Sequence, residues 1–238
     1  MNSKTRLLIC DDHPLVREGI KVILGREPTI EIVAEACNGR QAVAETMRVR
    51  PDMVLMDFSM PELNGLEATI QIKEFDKNIK VLVMTMYDDE EVVMRCLAAG
   101  ASGYILKDAP ISQLIYAIGM VSMGRDYLDP GVTRNVNEYL QQARPQQTSF
   151  DRLSPREREV LQLVAEGLSV KEIAVRLNVG AKTVDTHKYN LMTKLDIHNA
   201  AGLIRYAIQN KVVRTLPILK TSEISSHPRL IRRRRRSC

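Results

Sequence analysis

Four short apolar runs in the first half of the chain each stop at a polar side chain capable of chemistry. Residues 6–10 (RLLIC) run into Asp11 and Asp12, residues 53–56 into Asp57, 81–84 into Thr85, and 103–106 into Lys107. If these runs are strands of one sheet, three carboxylates, a hydroxyl and an amine converge on one crevice. Three carboxylates cannot all stay ionised at close range without a counter-charge, and a divalent cation supplies it economically. Oxygen-only ligands favour a hard ion such as Mg²⁺, which keeps several waters and takes one or two carboxylates plus a phosphate oxygen. Asp12, Asp57 and the Ser59 carbonyl are the expected protein ligands, with Asp11 holding a metal-bound water. Lys107 and Thr85 are left to meet an incoming anion from the other side. The arrangement suits an aspartate, Asp57, that accepts a phosphoryl group while cations neutralise the added charge.

The elements that must position these groups can be read from the same half. Apolar runs at 6–10, 30–34, 53–56, 81–84 and 103–106 have the Val, Ile, Leu and Met content of buried strands. Helical patterns at 15–24, 40–48, 66–75, 90–99 and 112–123 alternate with them. Five such alternations predict an α/β domain over residues 1–125, a doubly wound five-stranded parallel sheet covered by helices on both faces. Ligands of such sheets bind beyond the carboxyl ends of the strands, where the polar residues stand.

Residues 126–150 turn to Asn, Gln, Pro and Arg and read as a linker, helical over 132–142. From 151 to 216 everything reads as helix. Ser154-Pro155-Arg156-Glu157 and Ser169-Val170-Lys171-Glu172 are capping boxes, the first with Pro at the opening helical position. A third helix over 181–195 and a fourth, capped by Asn199 and ending near Lys211, complete a small four-helix domain with a helix-turn-helix. On the third helix Val184, Leu191 and Leu195 share one side, predicted to be core. The opposite side carries Lys182, Thr186, Tyr189 and Thr193, flanked by Asp185 and Asn190, a set able to reach phosphates or base edges in a major groove. His187 reads as a packed histidine rather than a ligand.

Charge is unevenly spread along the 238 residues. The formal net charge is +5, made of −5 over residues 1–150, +4 over 151–216 and +6 over 217–238. An acidic first domain and a basic second one imply different partners, and the run Arg232 to Arg236 predicts a disordered basic tail. The polar start and the absence of an 18-residue apolar run argue against a signal peptide or membrane span, so a cytoplasmic protein is expected. Cys10, Cys37, Cys96 and Cys238 lack metal-ligand spacing; the first three fall in apolar segments and are expected to be buried thiols.

At Cys10-Asp11-Asp12-His13-Pro14, Met56-Asp57 through Gly65, Met84-Thr85 and Tyr104 to Ala109, the chain resembles the receiver domain of two-component response regulators. Leu153 to Leu161, Lys171-Glu172-Ile173-Ala174 and Lys182 to His187 resemble the LuxR-type DNA-binding domain. Together they place residues 5–214 close to the NarL/FixJ family. The resemblance implies the strand order 2-1-3-4-5, a histidine kinase that donates phosphate to Asp57, and Mg²⁺ as cofactor. It further implies Thr85 turning toward the phosphoryl group with Tyr104 swinging inward behind it. In the second domain it implies Lys182, Asp185, Thr186 and Tyr189 facing the groove of double-stranded DNA, with Thr183 and Asn190 near its backbone. The fourth helix then pairs two protomers of a phosphorylated homodimer, and RNA polymerase is a further partner.

Two departures from the family pattern stand out: Gly180-Ala181 replaces the frequent Ser-Pro, and Asp185 is acidic at a base-facing position. The leading expectation is a non-enzymatic transcription regulator switched at Asp57. Two alternatives remain at this level. An aspartyl-phosphate phosphatase also needs a strand-end Asp, although it usually wants a second Asp where Ser59 stands. A phosphorylation-independent DNA-binding protein could use its receiver for dimerisation alone.

Overall fold

The structure, a computed structural model, describes residues 4–133 and 149–214. Strands β1 (Thr5–Cys10), β2 (Ile30–Ala36), β3 (Met53–Asp57), β4 (Lys80–Thr85) and β5 (Gly103–Leu106) alternate with helices α1 (Pro14–Leu24), α2 (Gly39–Val49), α3 (Gly65–Phe75), α4 (Glu90–Ala98) and α5 (Ile111–Ser122). All strands pair in parallel, in the order β2-β1-β3-β4-β5. The central strand β3 is buried along its whole length, as the unbroken apolar run MVLM requires of a strand covered on both faces.

A sixth strand, β6 (Tyr127–Leu128), extends the sheet beside β5 inside the stretch expected as linker. Two residues are too short to show a period in sequence, so the expectation of five strands missed it. Asp129 fixes its end: Oδ2 accepts from the Leu106 N–H (3.2 Å) and Oδ1 from the Gly131 N–H (2.8 Å). The chain is helical again over 130–133, where the described residues break off. The remainder of the expected helix over 132–142 and the tail over 217–238 lie outside them. Cys10 and Cys96 are buried, but Cys37 is exposed, because β2 ends at the buried Ala36 and Cys37 already lies in the loop that leads to α2.

The second unit is made of α6 (Pro155–Ala165), α7 (Val170–Leu177), α8 (Ala181–Leu195) and α9 (Ala200–Gln209). Both capping boxes form, with Ser154 and Ser169 each accepting from the backbone N–H three residues on. Gly180 gives α8 no side-chain cap, whereas Asn199 caps α9. Val184 and Leu191 are fully buried and Leu195 is half-buried, the stripe expected from the wheel.

The two units pack against each other through α6. Gln162, 1% exposed, donates through Nε2 to the Met60 carbonyl (2.9 Å) and accepts through Oε1 from the Asn64 N–H (3.0 Å). One amide thus satisfies two backbone groups of the loop between β3 and α3. Around it Arg158 pairs with Glu67 (2.8 Å), and Glu159 takes Arg40 (3.0 Å) and Gln71 (3.1 Å). Phe150 is buried beneath the guanidinium groups of Arg95 (4.6 Å) and Arg158 (5.7 Å). Phe58, Met60, Leu63, Phe150, Val160 and Leu163 belong to one continuous apolar core.

Candidate functional site

The parallel order places the ends of β1, β3, β4 and β5 side by side, and the expected polar residues meet there. Asp57 ends β3 and is paired in register with Met84, so Thr85 stands one residue further along the adjacent strand. The first turn of α3 crowds this strand end closely. A Cβ at Gly65 would lie 2.2 Å from the Asp57 carbonyl oxygen, so only glycine lets the helix begin there. The Gly65 N–H donates to the Phe58 carbonyl (2.8 Å), which ties the loop back to the strand.

Lys107 reaches across from β5 and contacts both Asp11 (2.7 Å) and Asp57 (2.8 Å). Asp11 and Asp57 are essentially sealed from solvent, while Asp12 is about a quarter exposed at 26%. Burial pushes the Asp57 carboxyl up to about 6; the Asp11 charge adds to the rise, and Lys107 and Arg214 oppose it. Loss of water and a like-charged neighbour disfavour the ionised form, but the carboxyl remains mostly ionised at neutral pH. The Ser59 N–H donates to Asp57 Oδ1 (3.2 Å), and the buried Ser59 hydroxyl has no hydrogen-bond partner among the described residues. Thr85 Oγ1 accepts from the Tyr87 N–H (3.1 Å), and fully buried Tyr104 donates its hydroxyl to the Tyr87 carbonyl (2.8 Å). Tyr104 already occupies the inward position that the sequence reading assigned to a later stage.

Two members of the pocket escaped the sequence reading. His13 Nδ1 lies 2.8 Å from Asp12, and one ligand atom each from Asp11, Asp12, His13 and Asp57 lie within 4.8 Å of one another. Its place directly after the acidic pair was the available signal. The other is Arg214, whose guanidinium binds Asp57 Oδ2 (2.6 Å) and Asp12 Oδ1 (3.2 Å) from the far end of the helical unit. Nothing in its local sequence marks it, because 157 residues separate it from Asp57.

The second candidate surface is the outward side of α8. Lys182, Thr183, Asp185, Thr186, Tyr189 and Asn190 are all exposed, Tyr189 at 71%. The Thr186 hydroxyl donates to the Lys182 carbonyl (2.9 Å), so its lone pairs are the part offered outward. His187 is half-buried.

Residues 7–119 match the response regulator receiver domain, and residues 151–207 match the bacterial regulatory proteins of the luxR family. The oxygen regulatory protein NreC of Staphylococcus epidermidis is 40% identical over 215 residues, covering 87% of this chain and 99% of that protein. NreC of Staphylococcus haemolyticus is 42% identical over 214 residues, with the same coverage. Among solved structures, RcsB of Salmonella typhimurium aligns with a TM-score of 0.61 at 27% identity, over 89% of this chain and all of that one. An RcsB–DNA complex aligns with a TM-score of 0.54 at 28% identity, over 86% of this chain and 98% of that one. No helix among the described residues is long and apolar enough to cross a membrane. Domain order, strand order and similarity over most of the chain agree: the chain belongs to the two-component response regulators of NarL/FixJ type, transcription regulators and not enzymes, with a receiver ahead of a LuxR-type DNA-binding domain.

Proposed function

We propose that Asp57 is the residue phosphorylated by the partner histidine kinase and that Mg²⁺ is the cofactor of the transfer. The observation that carries this reading is the convergence of Asp11, Asp12 and Asp57 with Lys107 at one strand-end pocket. An Asp57 carboxylate oxygen attacks phosphorus while the bond from phosphorus to the donor breaks. Asp12, Asp57 and the Ser59 carbonyl, with Asp11 beside them, would hold the cation, which would supply charge neutralisation. The oxygen donors and the unpartnered Ser59 hydroxyl suit a hard ion with its hydration shell. Lys107 holds the added negative charge, and Thr85 and Tyr104 relay its arrival to the α4 side of the sheet.

In the second domain Lys182, Asp185, Thr186 and Tyr189 read base edges, and Thr183 and Asn190 approach the DNA backbone. An Asp in this set accepts from cytosine and repels phosphate, so it sharpens sequence choice more than affinity. RcsB has been solved bound to DNA, including two dimers on two parallel duplexes, which supports the same use of this domain here. Phosphorylation then favours a homodimer paired through α9, acting in the cytoplasm and presenting the bound promoter to RNA polymerase. The functional division is 1–125 for the receiver, 126–150 for the linker, 151–216 for DNA binding and 217–238 for a basic tail.

The test is phosphoryl uptake. With Mg²⁺ and a small phosphodonor, the intact protein gains one acid-labile phosphoryl group and Asp57→Asn gains none. Equal labelling of the two proteins overturns the assignment and revives the reading of the receiver as a dimerisation module alone.

A further inference from the structure

Beyond α9 the chain crosses the mouth of the acidic pocket as a strap. Arg95 of α4 reaches both the carbonyl (3.4 Å) and the side chain (3.3 Å) of Asn210. Lys211 pairs with Asp89 (2.6 Å) at the cap of α4 and lies 5.3 Å above the Tyr87 ring. Val212 is buried, and Arg214 then enters the pocket. Arg214 also lies 3.1 Å from His13 Nδ1.

We propose that Arg214 is a resident counter-ion of the pocket, so that a divalent cation loads only as Arg214 withdraws and the strap lifts. The inference rests on the reading of the pocket as a cation site. Arg214 takes Asp57 Oδ2 at 2.6 Å and Asp12 Oδ1 at 3.2 Å, on the two carboxylates that are the expected cation ligands. A magnesium ion sits about 2.0–2.1 Å from its oxygens and demands near-octahedral space, which a guanidinium on the same two carboxylates denies it. Like charge adds to the conflict, since Lys107 already stands 2.8 Å from Asp57. The guanidinium is delivered by a docked domain, because Gln162 and the contacts of Glu159 with Arg40 and Gln71 hold the helical unit on the receiver. Cation loading and domain docking therefore oppose each other, and by linkage each weakens the other by the same factor. The helical domain guards the entrance of the phosphorylation site.

Binding of Mn²⁺ to the full chain, followed through the resonance signal of the free ion, tests this directly. Arg214→Met keeps most of the side-chain volume and removes the charge; it is expected to bind Mn²⁺ about tenfold or more tightly than the natural chain. Charge removal alone could raise affinity, so a neutral change on α6, outside the acidic cluster itself, provides the second arm. Gln162→Ala loosens α6 without altering any charge and is expected to tighten Mn²⁺ binding by about threefold or more. Small-angle scattering supplies the reciprocal readout: added Mg²⁺ is expected to expand the natural chain but to change Arg214→Met little, because no guanidinium then competes with the cation. Unchanged Mn²⁺ affinity in Gln162→Ala, or a natural chain whose dimensions ignore saturating Mg²⁺, overturns the counter-ion role. The cation site fails separately if Asp57→Asn binds Mn²⁺ as well as the natural chain does.

Discussion

The acidic pocket and the outward face of α8 are polar sites of opposite construction. Asp57 and Asp11 are sealed from water and held by Lys107, with Arg214 also on Asp57, whereas Lys182, Asp185 and Tyr189 project into solvent. In the docked arrangement the helical domain thus occupies the receiver's pocket while its own outward helix stays uncovered. Restraint acts on the entry of the signal. A phosphorylation requirement for DNA binding would then come from bringing two chains together, since nothing among the described residues covers the outward face of α8.

The sharpest test of that comparison uses duplexes with one or two half-sites. Phosphorylated and unphosphorylated chains are expected to bind a single half-site alike, within about threefold, and to differ by about tenfold to a hundredfold on a tandem site. Mobility-shift titrations on both duplexes measure this. A large phosphorylation effect on the single half-site would break the comparison by showing α8 to be masked in solution.

The exposed face is expected to respond more modestly to substitution. Tyr189→Ala or Asp185→Ala should change preference among binding sites by about 1–3 kcal/mol without altering phosphoryl uptake, because neither side chain supports the pocket. Competition among duplex variants reads the first effect and labelling reads the second. A change in labelling would show the two regions to be coupled through α8 itself.

The smallest expected effect concerns pH at the boundary between them. Burial pushes the Glu67 carboxyl up to about 7, against the Arg158 charge and with Glu159 and Glu74 adding to the rise. The docked form therefore holds the Glu67 proton more firmly than a separated form in which the carboxyl meets water. Docking is strongest below the ordinary carboxylate range and weakens as pH climbs from about 4.5 to about 7. Scattering dimensions measured across that interval should grow with pH by less in Glu67→Gln than in the natural chain. Because Asp57 titrates within the same interval, the difference between the two proteins isolates the Glu67 contribution. Identical pH profiles would remove Glu67 from the linkage.

The two regions also differ in how they could be read. Asp11, Asp12, Asp57, Thr85 and Lys107 were legible because each ends a short apolar run, and a parallel sheet brings such ends together whatever lies between them. The buried stripe of α8 was legible from its period, and the caps of α6, α7 and α9 from their Ser and Asn residues. Arg214 and Gln162 were not, since their partners lie 157 and about 100 residues away and their own surroundings are ordinary helix and helix end. Local pattern fixes an element and its core face, but docking between two finished domains is decided by surfaces that carry no period. Cys37 shows the converse error: an apolar neighbourhood suggested burial where the strand had already ended.

The short strand β6 bears on how the receiver behaves when separated from the rest of the chain. Its two residues cover the outer edge of β5: the Tyr127 N–H donates to the Ser102 carbonyl (3.2 Å), the Asp129 N–H to the Tyr104 carbonyl (2.9 Å), and Asp129 takes the Leu106 N–H. A fragment cut at residue 125 leaves those groups facing water along the edge of an otherwise apolar strand, an open template for a strand from another molecule. Such a fragment should self-associate and precipitate at concentrations where one ending at residue 133 stays monodisperse, since a two-residue edge closed by a carboxylate offers a newcomer almost nothing to pair with.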